Sequence, residues 1–196
     1  MNKIVKNAII LTVITLVAGL GLGFVYEITK GPIAQAQEAA KKEAWQAVFA
    51  EAALEDFEVV ELDEAVAEAV IAEIGSKGSI NEVCVVKGGE LGYVVTATNS
   101  EGYGGDIQIT VGIKADGTVN GVSILSISET AGLGMKATEP AFYEQYHGKL
   151  TDNFYVAKDG GSGEAIDALS GATITSRAVT NAVNAAVKYY LGARAQ

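Results

Sequence analysis

The sequence predicts an α+β fold: one N-terminal transmembrane helix, followed by a domain with an antiparallel sheet and flanking helices. Three observations predict it. The run from Asn7 to Tyr26 carries no charge. Valine-, tyrosine- and threonine-rich segments are joined by the short turn signals Gly88-Gly89 and Asp116-Gly117. The C-terminal stretch then repeats its apolar residues with helical spacing.

The apolar run matches the roughly 20 residues that a helix needs to cross a bilayer. Lys3 and Lys6 precede it, whereas Glu27 follows it and Lys30 is the nearest cation on that side. The positive-inside rule therefore predicts a cell-membrane protein that is single-pass, with a cytoplasmic N-terminus and the rest outside. The run is longer than a signal-peptide core and no small-x-small site closes it, so a retained anchor is expected. Gly31 and Pro32 should end this helix, giving a first region over 1–30. A helical connecting region is expected over 31–78, with one helix from Ile33 to Ala53 and another from Asp63 to Ile74 that ends at Gly75. The β-rich domain should occupy 79–196, with strands over 82–87, 91–98, 107–113 and 119–127. Its last helix, over 176–191, buries Val179, Ala182, Val183, Ala186, Val187 and Tyr190, with Thr175 or Ser176 as its N-cap.

Composition excludes several function classes. The net charge is −10, and such a chain repels nucleic acid phosphates. One cysteine and one histidine supply no set of ligands for zinc, an iron–sulfur cluster or haem. Cys84 lies in an apolar run and reads as a small core residue, while His147 sits in a polar loop. No Gly-x-Ser-x-Gly elbow is present, and the Gly-x-Gly steps at Gly102 and Gly132 complete no dinucleotide fingerprint.

The informative stretch is Asp167-Ala168-Leu169-Ser170-Gly171-Ala172-Thr173-Ile174-Thr175-Ser176. Hydroxyls and a bare glycine stand at the mouth of a helix, where free amides and the helix dipole favour an anion, with Arg177 in the first turn. From the residues alone this is an anion-friendly helix start or an ordinary capped one.

Asp-x-x-Ser-Gly-Ala-Thr resembles the flavinylation motif of the FMN-binding domains in RnfG and in the C subunit of the sodium-pumping NADH:quinone oxidoreductase. Gly102-Tyr103-Gly104-Gly105-Asp106-Ile107 is similar to that family's glycine-rich turn. Ser128-Glu129-Thr130-Ala131-Gly132-Leu133-Gly134 is similar to its Glu-Thr-Pro-Gly-Leu-Gly segment, with Ala131 in place of the proline. The resemblance implies a covalent FMN, its phosphate esterified to Thr173 with Thr175 as the rival attachment point. It implies that Ser170, Gly171 and Ala172 surround the phosphate and that Asp167 serves the attaching enzyme. Glu129, Thr130, Gly132, Leu133, Gly134 and Tyr103 would border the ring. The implied function is an electron-transfer component of an Rnf-type, ion-translocating complex between ferredoxin and NAD, not catalytic alone. Implied partners are the other membrane subunits, including a second flavin-bearing one, and a flavin transferase. The C subunit of the quinone reductase and a noncatalytic tethered binding module are the alternatives.

Overall fold

The computed structural model describes residues 2–194, which divide after Lys41 into two compact units. Helix α1 runs without interruption from Lys3 to Val48 and contains Pro32. It is long and apolar enough to cross a membrane, and its apolar window is wholly unburied. The expected break at Gly31 and Pro32 is thus corrected. Proline removes only one intrahelical donor, and the good helix formers that follow, from Ala34 to Ala40, carry the helix onward.

In the second unit, the end of α1 buries Ala44, Trp45 and Val48. There follow β1 (Phe57–Val60), α2 (Glu64–Ile74), β2 (Gly78–Val86), β3 (Gly92–Gly102), β4 (Gly105–Lys114) and β5 (Val119–Ser126). A short α3 (Pro140–Tyr143), β6 (Phe154–Val156), β7 (Glu164–Ile166) and the long α4 (Thr173–Arg194) complete the chain. Strands β1 to β5 form one antiparallel sheet in sequential order. The stretch 31–78 is therefore no purely helical connection, because it supplies the edge strand β1. That strand is too short, at four residues, to carry a period-two signal. The parallel pair β6–β7 was likewise not expected; its three-residue strands are hidden among polar residues and glycines.

Helix α2 starts as its sequence demands: Asp63 Oδ1 accepts from the Val66 amide at 3.0 Å, and Gly75 ends it in the left-handed conformation. Along β4, Ile107, Ile109, Val111 and Ile113 alternate onto one face and pack with Ala178, Val179, Ala182, Val183 and Ala186 of α4. The opposite face is covered by Trp45, Val48 and Phe49, which pack with Phe57, Cys84, Val86 and Val94. Trp45 stacks on Phe57 at 5.6 Å, and Asn120 Nδ2 donates to the Val48 carbonyl at 2.6 Å, capping the end of α1. The face against α4 is dry along the length of β4, whereas toward the β3–β4 turn the other face carries the polar cluster Asn81, Thr98 and Gln108.

Candidate functional site

Strands β3 and β4 meet in a tight turn, Tyr103-Gly104, between the paired residues Gly102 and Gly105. A Cβ on Gly104 would come within 2.1 Å of the Ser128 carbonyl oxygen, so only glycine lets this turn lie against the segment that follows β5. Glu129, buried at 9% exposure, fastens the two together. Its Oε1 accepts from the Gly104 amide at 3.2 Å.

The chain then turns again. The Leu133 amide donates to the Thr130 carbonyl at 3.1 Å, and Gly132 has φ +76°. A positive φ at the third position of a hydrogen-bonded turn is the signature of type II, with Ala131 at the position that proline favours. The missing family proline therefore leaves the turn type intact. One tight helical turn, Gly134–Thr138, follows.

The third segment arrives from β7. Gln145 holds it, its Oε1 accepting from the Asp167 amide at 2.7 Å and its Nε2 donating to the Asp167 carbonyl at 3.3 Å. Gly171, at φ +74°, turns the chain into α4, which begins at Thr173 and not at Ser176. Thr175 and Ser176 are thus inside the helix and are not its caps, a correction to the sequence reading. Ser176 instead ties down the turn: its Oγ donates to the Ala172 carbonyl at 2.9 Å and accepts from the Leu169 amide at 2.9 Å. The opening amides of α4, at Thr173, Ile174 and Thr175, are left without intrahelical acceptors.

The three segments enclose a cleft of about 580 Å³. Tyr103, Glu129, Thr130, Leu133, Gly134, Gly171, Ala172, Thr173 and Thr175 all line it, so nine of the sequence-predicted residues converge although they span 73 positions of the chain. Gly132, Ser170 and Asp167 lie off its wall, exposed on the adjoining turns. Thr173 is half-buried, whereas Thr175 is 1% exposed. Sequence reasoning missed Ile174, which lines the cleft at 48% exposure. With Tyr103 at 73% and Leu133 at 44% it forms an apolar rim, and its one signal is an isoleucine placed off the buried face of α4. Arg177, expected near the anion, is turned instead to Asp159. Its Nε donates to Oδ2 at 2.7 Å and its second guanidinium nitrogen to Oδ1 at 2.5 Å. This bidentate contact holds the Asp159 carboxyl below the usual range and raises the guanidinium.

The model of the FMN-binding domain matches residues 102–188, a span that includes every residue lining the cleft, and the model of the RnfG N-terminal region matches residues 1–48, ending where α1 ends. The G subunit of the Na(+)-translocating ferredoxin:NAD(+) oxidoreductase complex of Acetobacterium woodii is 36% identical over 94% of this chain and 90% of its own. The chain belongs to the RnfG family. RnfG-type relatives include the G subunit of the ion-translocating oxidoreductase complex of Methanosarcina acetivorans, 35% identical over 96% of this chain and 95% of that one. The corresponding subunit of Cereibacter sphaeroides is 33% identical over 91% and 80%. In fold, this RnfG chain is similar to the C subunit of the Na(+)-translocating NADH-quinone reductase of Parabacteroides distasonis. The TM-score is 0.54 at 19% identity, covering 81% of this chain and 94% of that one.

The residues that line the cleft fit FMN. The cleft volume is that of a small-molecule site, Leu133, Ile174 and Tyr103 offer apolar surface to a flat ring, and buried polar groups stand at Glu129 and Thr175. Thr173 Oγ1 and the free amides of α4 meet a phosphate's needs.

Proposed function

We propose that this chain relays electrons through one FMN, esterified by its phosphate to Thr173, as the extracytoplasmic flavin subunit of a membrane-bound complex. In this reading the complex couples electron flow between ferredoxin and NAD to ion translocation. The observation that carries the proposal is the convergence of three distant motifs on one cleft that has the Thr173 hydroxyl in its wall. Thr173 is half-buried and, among the described residues, its hydroxyl makes no hydrogen bond, as a group held ready for esterification should be. Thr175, nearly inaccessible, is a poor substrate for another enzyme. The names of the relatives, which speak of ferredoxin:NAD(+) oxidoreductase complexes that translocate sodium ions or protons, support the choice of electron partners.

The protein's part is positioning. FMN, when bound, supplies the redox chemistry. Thr173 anchors the phosphate at the positive end of α4, while Gly171 and Ala172 keep the surrounding backbone uncrowded. Leu133 and Ile174 present apolar walls to the ring, and Tyr103 rims the cleft from the β3–β4 turn. A covalent tether abolishes dissociation, so the site can stay open enough for electrons to reach neighbouring subunits.

Intact mass of two variants tests the reading. Thr173→Ala should lack the FMN adduct and Thr175→Ala should keep it; the reverse pattern would overturn the assignment. A wild-type chain that shows no flavin absorbance surviving denaturation would instead favour a noncatalytic tethered module.

A further inference from the structure

At the inner end of the cleft two polar oxygens stand without partners. Glu129 uses Oε1 for the Gly104 amide, and among the described residues its Oε2 receives no hydrogen bond. Thr175 Oγ1 is likewise unpaired there, although the residue is 1% exposed. An acceptor and a hydroxyl left open to a cleft in this way have their hydrogen-bonding capacity available to a molecule seated there. Both face the same gap. A Cβ built on Gly134 would lie 2.6 Å from Glu129 Oε2 and 2.7 Å from Thr175 Oγ1, so the bare glycine keeps that gap open. Neither atom is sealed from the cleft, since both residues line it and neither atom is wholly enclosed.

A carboxylate oxygen can only accept, unless it is protonated, whereas a threonine hydroxyl both donates and accepts. The complementary ligand edge is an N–H beside a carbonyl. On the isoalloxazine ring that pattern occurs at the imide, where N3–H lies between carbonyls C2 and C4. We propose that Glu129 Oε2 accepts from N3–H and that Thr175 Oγ1 donates to the adjoining imide carbonyl. The two side chains thereby direct the pyrimidine edge inward and leave the hydrocarbon edge at the rim formed by Tyr103, Leu133 and Ile174. This assignment rests on the FMN reading of the cleft and gives Thr175 a role in place of attachment. It also explains Gly134, where any side chain would occupy the gap.

The test uses the full-length chain in detergent, flavinylated with flavin labelled by nitrogen-15 at N3 and carbon-13 at C2 and C4. In the wild type N3 should resonate downfield of free FMN, with slow solvent exchange of its proton. Glu129→Ala should lose that shift and speed the exchange at least about tenfold, the equivalent of one hydrogen bond. Thr175→Val keeps the shape of the helix and the Gly104 bond, so it should move one imide carbonyl resonance upfield and leave N3 unchanged. Adduct present in all three proteins with N3 and carbonyl resonances indifferent to both substitutions would overturn the inference and leave the attachment reading intact. A wild-type chain without adduct would overturn both.

Discussion

The bare α-carbon of Gly112 faces the side chain of Val48: a Cβ there would lie 2.8 Å from Val48 Cβ and 2.9 Å from the Val48 carbonyl oxygen. Gly121, paired with Gly112 across β4 and β5, meets the same residue at 3.3 Å. Two glycines thus form a shallow seat for the last turn of α1. Gly112→Ala should overpack this seat and destabilise the second unit by about 1–3 kcal/mol. Adding Val48→Gly, which removes the nearest atom, should recover part of the loss, giving a non-additive double-mutant cycle in chemical denaturation. Strict additivity would show that the two residues do not meet.

How much of this was legible in the sequence depends on the range over which each signal acts. Strands β2 to β5 were readable because alternation and the Asp116-Gly117 step are local; Gly117 has φ +94° and Thr118 donates its amide to Asp116 Oδ1 at 2.9 Å. The cleft was readable as three motifs by resemblance, but its closure was not, since Glu129 meets Gly104 across twenty-five positions. Pro32 misled because a local breaker was weighed without the cooperative helix on either side. Arg177 misled in another way: its partner Asp159 lies in a glycine loop whose path no periodicity reports.

Ala131 is expected to be replaceable by proline with a gain. It occupies the second position of the Thr130–Leu133 turn, where φ near −60° is required, and among the described residues its amide donates no hydrogen bond. Ala131→Pro should raise stability by about 0.4–1 kcal/mol through the unfolded chain and leave flavin attachment unchanged. A lower denaturation midpoint would show that the turn is not of this type.

Tyr146 should set part of the alkaline limit of stability. The ring is fully buried between Phe142 and Phe154, and burial raises its phenol above the ordinary value of 10.0, opposed in part by the hydroxyl contact with Thr180 at 2.9 Å. Below pH 10 both folded and unfolded chains keep the proton, so the stabilisation is complete. As pH rises beyond that, the unfolded chain ionises first and the folded state loses ground. Tyr146→Phe should cost about 1 kcal/mol at neutral pH by removing the Thr180 bond. It should also flatten the loss measured from urea midpoints as pH rises above about 10. Parallel curves for the two proteins would overturn the assignment.

The second unit should face away from the cytoplasm, given Lys3 and Lys6 before the uncharged stretch of α1. Cys84 is buried at 1% exposure, so the wild type should be silent to a membrane-impermeant thiol reagent. Ser162→Cys puts a thiol in the exposed loop between β6 and β7. It should label in intact cells without permeabilisation. Labelling only after the membrane is disrupted would reverse the topology.

Maturation should require a second enzyme. Thr173 opens α4 with no histidine near it in the sequence, and no cluster of three or more acidic, histidine or cysteine residues able to hold a metal exists among the described residues. An ordinary threonine hydroxyl is a weak nucleophile until a base or metal activates it. In the expected transfer, Thr173 Oγ1 bonds to the FMN phosphorus of FAD, the pyrophosphate bond breaks, AMP leaves, and the hydroxyl proton passes to the transferase. Full-length chain made without that enzyme should therefore carry no covalent flavin, and should gain one FMN by mass when FAD, magnesium and transferase are added. Once loaded, the chain alone should still oxidise NADH only slowly, because its cleft is walled by the flavin's own contacts and no glycine-rich βαβ unit is present among the described residues to orient a nicotinamide. Fast NADH oxidation by the isolated, loaded chain would make it an enzyme in its own right and end the relay reading.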